Sequence, residues 1–190
     1  MFVYSNERQF GAVARLLHWI LAILILAQLF SGLFDDFLPK QPTIAFHKAL
    51  GIITLVLALA RLAWWAADRV RPGNDDLAPL MKLSATLVKV LLALLSVGLP
   101  LTGWLMSSAA AKPISLFGLA IVPPLVGPDK ALAHLFKESH ELVGNVLLVL
   151  VVAHVAAALY HHFVLKDSVL RRILPHGCSG CTGTCVSPAD

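Results

Sequence analysis

Residues 142–164 read LVGNVLLVLVVAHVAAALYHHFV, without a single Asp, Glu, Lys or Arg. About 20 apolar residues suffice for a helix to cross the hydrocarbon core of a membrane, and this stretch meets that length. Working outward from it, residues 16–34, 49–67 and 83–107 have the same character. They are interrupted only by His18, by Arg61, and by Lys89 and Pro100 respectively. With their flanking residues, the spans are expected at about 16–34, 47–67, 83–107 and 140–165. The fold class expected is an all-α membrane protein, a four-helix transmembrane bundle over residues 1–175 followed by a tail at 176–190.

Composition agrees with the periodicity. The 190 residues are 58% hydrophobic and 14% charged, against roughly 45–50% and 25% for soluble domains. Disorder is excluded by the lack of charge, and a mean hydropathy of +0.79 argues against a compact soluble enzyme. The first run exceeds a 7–15-residue signal core and stops at the acidic pair Asp35 and Asp36, so it reads as a span.

Orientation follows from the basic residues. Arg8, Arg15, Arg61, Arg69, Arg71, Lys82, Lys89, Lys166, Arg171 and Arg172 fall on the side of the termini and second loop. Lys40, Lys48, Lys112, Lys130 and Lys137 fall on the other. The positive-inside bias puts both termini in the cytoplasm. Trp19, Trp64, Trp65 and Tyr160 are then expected near the inner boundary and Trp104 near the outer one. The net charge of +4 is a topology signal and needs no nucleic acid.

Short polar turns are expected at 39–43 and at 68–79, the latter with Pro72, Gly73 and Asn74. The third loop, about 109–139, is long, apolar and rich in proline (Pro113, Pro123, Pro124, Pro128), and is expected to lie over the outer helix ends as a cap. The cysteines Cys178, Cys181 and Cys185 follow His176 in a Gly/Ser/Thr-rich segment. Zinc or an iron–sulfur cluster could use those ligand types. The composition favours a flexible tail with free thiols.

Ionisable residues within spans are costly and point to function. His140 and His154 are 14 residues apart on one helix, within about 40° of whole turns and about 21 Å along the axis. His18 lies near the inner end of the first span and His47 near the outer end of the second. Depth therefore pairs His18 with His154 inside and His47 with His140 outside, an arrangement suited to two b-type haems held between helices. A porphyrin also needs a low surface beside its ligand. One turn on, these four histidines are followed by Ala22, Ala158, Gly51 and Gly144, whereas His134, His161 and His162 are followed by Glu138, Leu165 and Lys166. His134 is expected in the outer loop, and His161 and His162 at the inner interface. Arg15, Lys48, Arg61 and Lys166 are candidates to neutralise haem propionates.

Five segments carry a family resemblance. Arg15-Leu-Leu-His18-Trp19, His47-Lys48-Ala-Leu-Gly51, Lys112-Pro-Ile-Ser-Leu-Phe-Gly118, Ser139-His140-Glu141 and His154-Val-Ala-Ala-Ala-Leu-Tyr-His161-His162-Phe-Val-Leu-Lys166-Asp167 are similar to those of bacterial cytochrome b561, over roughly residues 5–175. The resemblance implies a four-helix inner-membrane protein with two haem b groups, related to the cytochrome subunits of nickel–iron hydrogenases. It implies His18, His47, His140 and His154 as ligands. It also implies electron exchange with membrane quinone (ubiquinone), or superoxide oxidation at the outer haem with electrons passing to quinone. A periplasmic redox partner is a further expected contact beside the lipid bilayer. A haem-free metal-ion transporter using the intramembrane histidines is the reading from another class.

Overall fold

The computed structural model describes residues 3–6, 9–34, 37, 40–68, 70, 79–167 and 169–174. Arg8, Asp35, Asp36, Arg69, Arg71, Pro72, Gly73, Asn74, His176, Cys178, Cys181 and Cys185 from the sequence reading lie outside the described residues. The chain runs α1 (Ala12–Leu33), α2 (Lys40–Ala67), α3 (Pro79–Ala109), β1 (Ile114–Leu116), β2 (Ala120–Val122) and α4 (Lys130–Tyr160), which passes into a π-helical turn, His161–Leu165. All four α-helices are long and apolar enough to cross a membrane.

Their surfaces suit lipid. Leu16, Ile23, Leu26, Val56, Leu59, Leu94, Val149 and Val152 are exposed, while Leu21, Ala49, Leu55, Ala58 and Leu147 are buried. In hydrocarbon, apolar side chains gain little by turning inward, and the buried residues are a few leucines beside small and hydroxyl-bearing ones such as Ala49, Thr54, Ala58 and Ser96.

Consecutive helices pack against one another: α1 on α2, α2 on α3, α3 on α4. Among the described residues, α1 and α4 do not close the ring with comparable backbone contact, and neither do α2 and α4. Side chains bridge those two gaps.

Two sequence expectations are corrected by the helix bounds. The third loop is shorter than 109–139, because α4 begins at Lys130. Asp129 caps it, its Oδ1 accepting from the N–H groups of Ala131 and Leu132 at 2.8 and 3.0 Å. His134 is therefore helical rather than in a loop, and it forms an exposed i,i+4 pair with Glu138 at 3.6 Å. Likewise Pro42 and Thr43 belong to α2, not to a turn; Pro is tolerated in a first turn, where its missing N–H has no intrahelical partner anyway.

The remaining 110–129 segment folds into an antiparallel hairpin, with Ile114 opposite Val122 and Leu116 opposite Ala120. Its turn residue Phe117 rests on Phe46 of α2, ring centres 5.3 Å apart. Trp104 Nε1 donates to the Pro123 carbonyl and the Leu125 N–H to Ser108 Oγ, each at 3.1 Å, tying the segment to α3. Beneath it lies a cavity of about 280 Å³ lined by residues including Trp104, Lys112 and Ile114.

The opposite end is closed by both chain ends. Tyr4 stacks on Trp64 at 5.3 Å, and the Ser5 N–H and hydroxyl donate to the buried Asp68 carboxylate. A Cβ on Gly11 would sit 2.2 Å from the Val3 carbonyl oxygen, so only glycine lets this segment fold back. Trp19 Nε1 and Arg15 Nη1 donate to the carbonyls of Ile173 and Leu174, at 3.0 and 3.3 Å.

Candidate functional site

Four histidines meet in two pairs across the gaps left by the helix backbones. His18 of α1 faces His154 of α4, with ring centres 6.4 Å apart and planes at 71°. His47 of α2 faces His140 of α4, at 6.1 Å and 76°. The helical rise puts about 21 Å between the two levels.

The His47–His140 pair has oxygens on both Nδ1 atoms. Ser31 Oγ lies 2.9 Å from the Gln28 carbonyl oxygen and 2.8 Å from His47 Nδ1, so with its hydrogen on the carbonyl it accepts from Nδ1. His140 Nδ1 lies 3.1 Å from the Leu99 carbonyl oxygen, which cannot donate, and 3.1 Å from Thr102 Oγ1, whose hydrogen also goes to Leu99. The tautomer with the proton on Nδ1 satisfies these oxygens in both rings and leaves the lone pair on Nε2. Gln28 Nε2 adds a bond to the His47 carbonyl at 2.9 Å. The other pair is built differently: Nδ1 of His18 is buried without a hydrogen-bond partner.

Glycine placement is not what the chain spacing suggests. A Cβ at Gly51 would meet Gln28 Nε2 at 3.2 Å, and one at Gly144 would meet only Leu99, at 3.9 Å. The glycine lying against a histidine ring is Gly103 of α3, where a Cβ would be 3.1 Å from His140 Cε1. Ser31, Thr102 and Gly103 were not singled out from the sequence. Ser31 and Thr102 were findable, since a hydroxyl inside an apolar span needs a partner.

Charges gather at both levels. Arg61 acts electrostatically on both His18 and His154, joined at His154 by Lys89. Arg15 sits one turn before His18. At the other end Lys48 and Lys112 are close enough to repel. Lys166 is exposed, in the left-handed region with φ 53°, where it ends the π-helical turn. His161 and Asp167 pair through Nδ1 and Oδ2 across that turn. Partial burial alone would raise the Asp167 carboxyl. The hydrogen bond from His161, the Val169 N–H, and the charges of His161 and Arg172 outweigh it and hold the group below its ordinary value.

Among the described residues no three of His, Cys, Asp and Glu gather as a closed metal site would require. Paired imidazoles suit a metal whose other ligands come from a macrocycle. Spanning helices with such pairs facing one another across their gaps define a membrane-embedded b-type cytochrome, an electron carrier. The chain belongs to the prokaryotic cytochrome b561 family, whose profile matches residues 9–176. It is 30% identical to cytochrome b561 homolog 2 of Escherichia coli (strain K12) over 180 residues, 91% of this chain and 94% of the relative. Cytochrome b561 homolog 1 of the same organism is 29% identical over 84% of this chain and 93% of its own length. A Yersinia pestis protein named probable superoxide oxidase CybB is 29% identical, over 84% of this chain and 92% of its own.

Proposed function

We propose that residues 1–175 form a di-haem electron carrier of a bacterial inner membrane, with both termini in the cytoplasm. His18 and His154 hold an inner haem b, His47 and His140 an outer one, and electrons are exchanged with membrane quinone. The observation that carries this is the separation of the rings. With a metal–nitrogen bond of about 2 Å, and about 1.2 Å from nitrogen to ring centre, one ion between two imidazoles sets the centres at most about 6.4 Å apart. The observed 6.4 and 6.1 Å fit that value.

When bound, each haem supplies a one-electron carrier. The chain does the rest. With His18 and His154 holding one haem and His47 and His140 the other, each would pass electrons and not bind a third ligand. Arg15, Arg61 and Lys166 at the inner level, and Lys48 at the outer, neutralise propionates. Gly103 leaves room for the His140 ring, a Cβ at Gly144 would meet nothing nearer than Leu99 at 3.9 Å, and Gly51 gives room to Gln28.

The test is a haem count and redox difference spectra of single variants. Two haems per chain are expected. His18→Ala and His154→Ala should deplete one spectral component, and His47→Ala and His140→Ala the other. Each double variant should cost little more than a single one, since ligands acting as a unit are non-additive. Depletion of the same component by His18→Ala and His47→Ala would sink the pairing. Absence of haem bands altogether would favour a transporter.

A second reading is favoured by the name of the Yersinia relative and by the Lys48–Lys112 cluster. Two superoxide anions would each give up one electron as dioxygen while the quinone takes up two electrons and two protons. The cations would attract the anion to the outer level. Quinol formation from a superoxide-generating system, slowed by Lys112→Glu, is the expected outcome. An unchanged rate with and without the protein would eliminate this reading.

A further inference from the structure

The two histidine pairs are anchored unequally. At the outer level both rings have an oxygen on Nδ1: Ser31 Oγ on His47, and Thr102 Oγ1 with the Leu99 carbonyl on His140. At the inner level the Nδ1 of His18 has none. An acceptor on the distal nitrogen makes a ligating imidazole more basic and fixes its orientation. A more basic axial ligand favours the oxidised metal, and hydrogen bonding around a haem is one of the levers on its potential.

We infer that Ser31 and Thr102 are positioning residues that lower the reduction potential of the outer haem alone. Neither touches the metal; each acts through one histidine. With a metal on Nε2 the proton stands on Nδ1, and the Ser31 and Thr102 oxygens can accept its hydrogen bond while their own hydrogens reach the Gln28 and Leu99 carbonyls. Neither can turn to donate to the imidazole without giving up a bond within its own helix. Gly103 leaves the room that the His140 ring occupies, since a Cβ there would lie 3.1 Å from Cε1. This goes beyond electron carriage as such: it specifies which residues separate the two potentials and in which direction. The inference rests on the reading of His47 and His140 as ligands of one haem.

The experiment is an optical redox titration of the purified holoprotein and of Ser31→Ala and Thr102→Val, with Ser31→Thr and Thr102→Ser as conservative partners. Loss of one such bond should shift the outer reduction equilibrium roughly two- to tenfold toward the reduced form. The inner component should not move, and the hydroxyl-retaining variants should return the outer one toward its original value. An outer potential unmoved in both Ser31→Ala and Thr102→Val overturns the inference, and so does an equal shift of both components. The outer component is identified beforehand as the one lost in His47→Ala and His140→Ala. If those variants lose no component, the ligand reading itself fails. If they do and the potentials stay fixed, only this inference fails.

Discussion

Gly103 shows how much one hydrogen atom in place of a side chain can decide. Its would-be Cβ lies 3.1 Å from His140 Cε1 and 3.3 Å from Nδ1, so a methyl group would require the ring to yield by a few tenths of an ångström. A larger side chain leaves it nowhere to go that keeps the Leu99 and Thr102 contacts. Overpacking of this kind costs about 1–3 kcal/mol. Gly103→Ala should therefore retain the outer haem in part. Gly103→Leu should lose the component that His140→Ala loses and keep the other, as measured by haem content and difference spectra. A full complement in Gly103→Leu would show that the ring is free to move. The same residue marks where sequence reading stops. Spacing along one helix tells which residues share its face, and that is how the four histidines were selected. What presses on a ring from across the bundle belongs to another helix, at a position local spacing does not determine. Hence Gly51, chosen for its distance along the chain from His47, turns out to give room to Gln28.

At the scale of elements, α4 teaches a related lesson. Its apolar run is obvious, but the helix starts ten residues before the expected 140, in sequence that hydropathy alone treats as loop. Local signals set the true start. Asp129 caps the first turn, its own N–H donates to the Ala109 carbonyl at 2.9 Å, and the first exposed turns carry the pairs His134–Glu138 and Lys137–Glu141 at i,i+4. Such a start extends the helix past the hydrocarbon core and brings His140 well inside it, away from the frayed end. Asp129→Ala should cost about 1 kcal/mol. Thermal unfolding in detergent should begin a few degrees lower, and amide exchange should speed up over residues 130–134 before the rest of α4. Equal exchange in both proteins would mean that the hairpin, not the cap, holds this end. The π-helical turn at the other end had no sequence signal to find. It arises from how Lys166 and Asp167 close back on His161, a three-dimensional constraint.

For the whole molecule, the segments flanking the bundle meet one another: the Phe10 N–H donates to the Arg172 carbonyl at 3.4 Å, and Trp19 and Arg15 reach Ile173 and Leu174. An even number of crossings and these contacts put residues 3–11 and 169–174 on one side. The proposal that this side is the cytoplasm rests on charge. The side of the termini holds Arg15, Lys82, Lys89, Arg171 and Arg172 among its basic residues, about twice as many as the hairpin side, and basic residues near span ends resist export. Helix existence was legible because lipid imposes it on composition. The unequal packing that leaves gaps beside α4 was not, since it depends on how three helix pairs meet. A reporter active only in the periplasm should be silent when fused after Asp190 and active when fused after Gly127, within the hairpin segment. A cytoplasm-active reporter should give the reverse. The opposite result at both sites would exchange the faces, so that the Lys48–Lys112 cluster and the hairpin cavity met the cytoplasm. The superoxide reading would then lose its electrostatic support, while the pairing of His18 with His154 and of His47 with His140, which depends on depth and not on side, would stand.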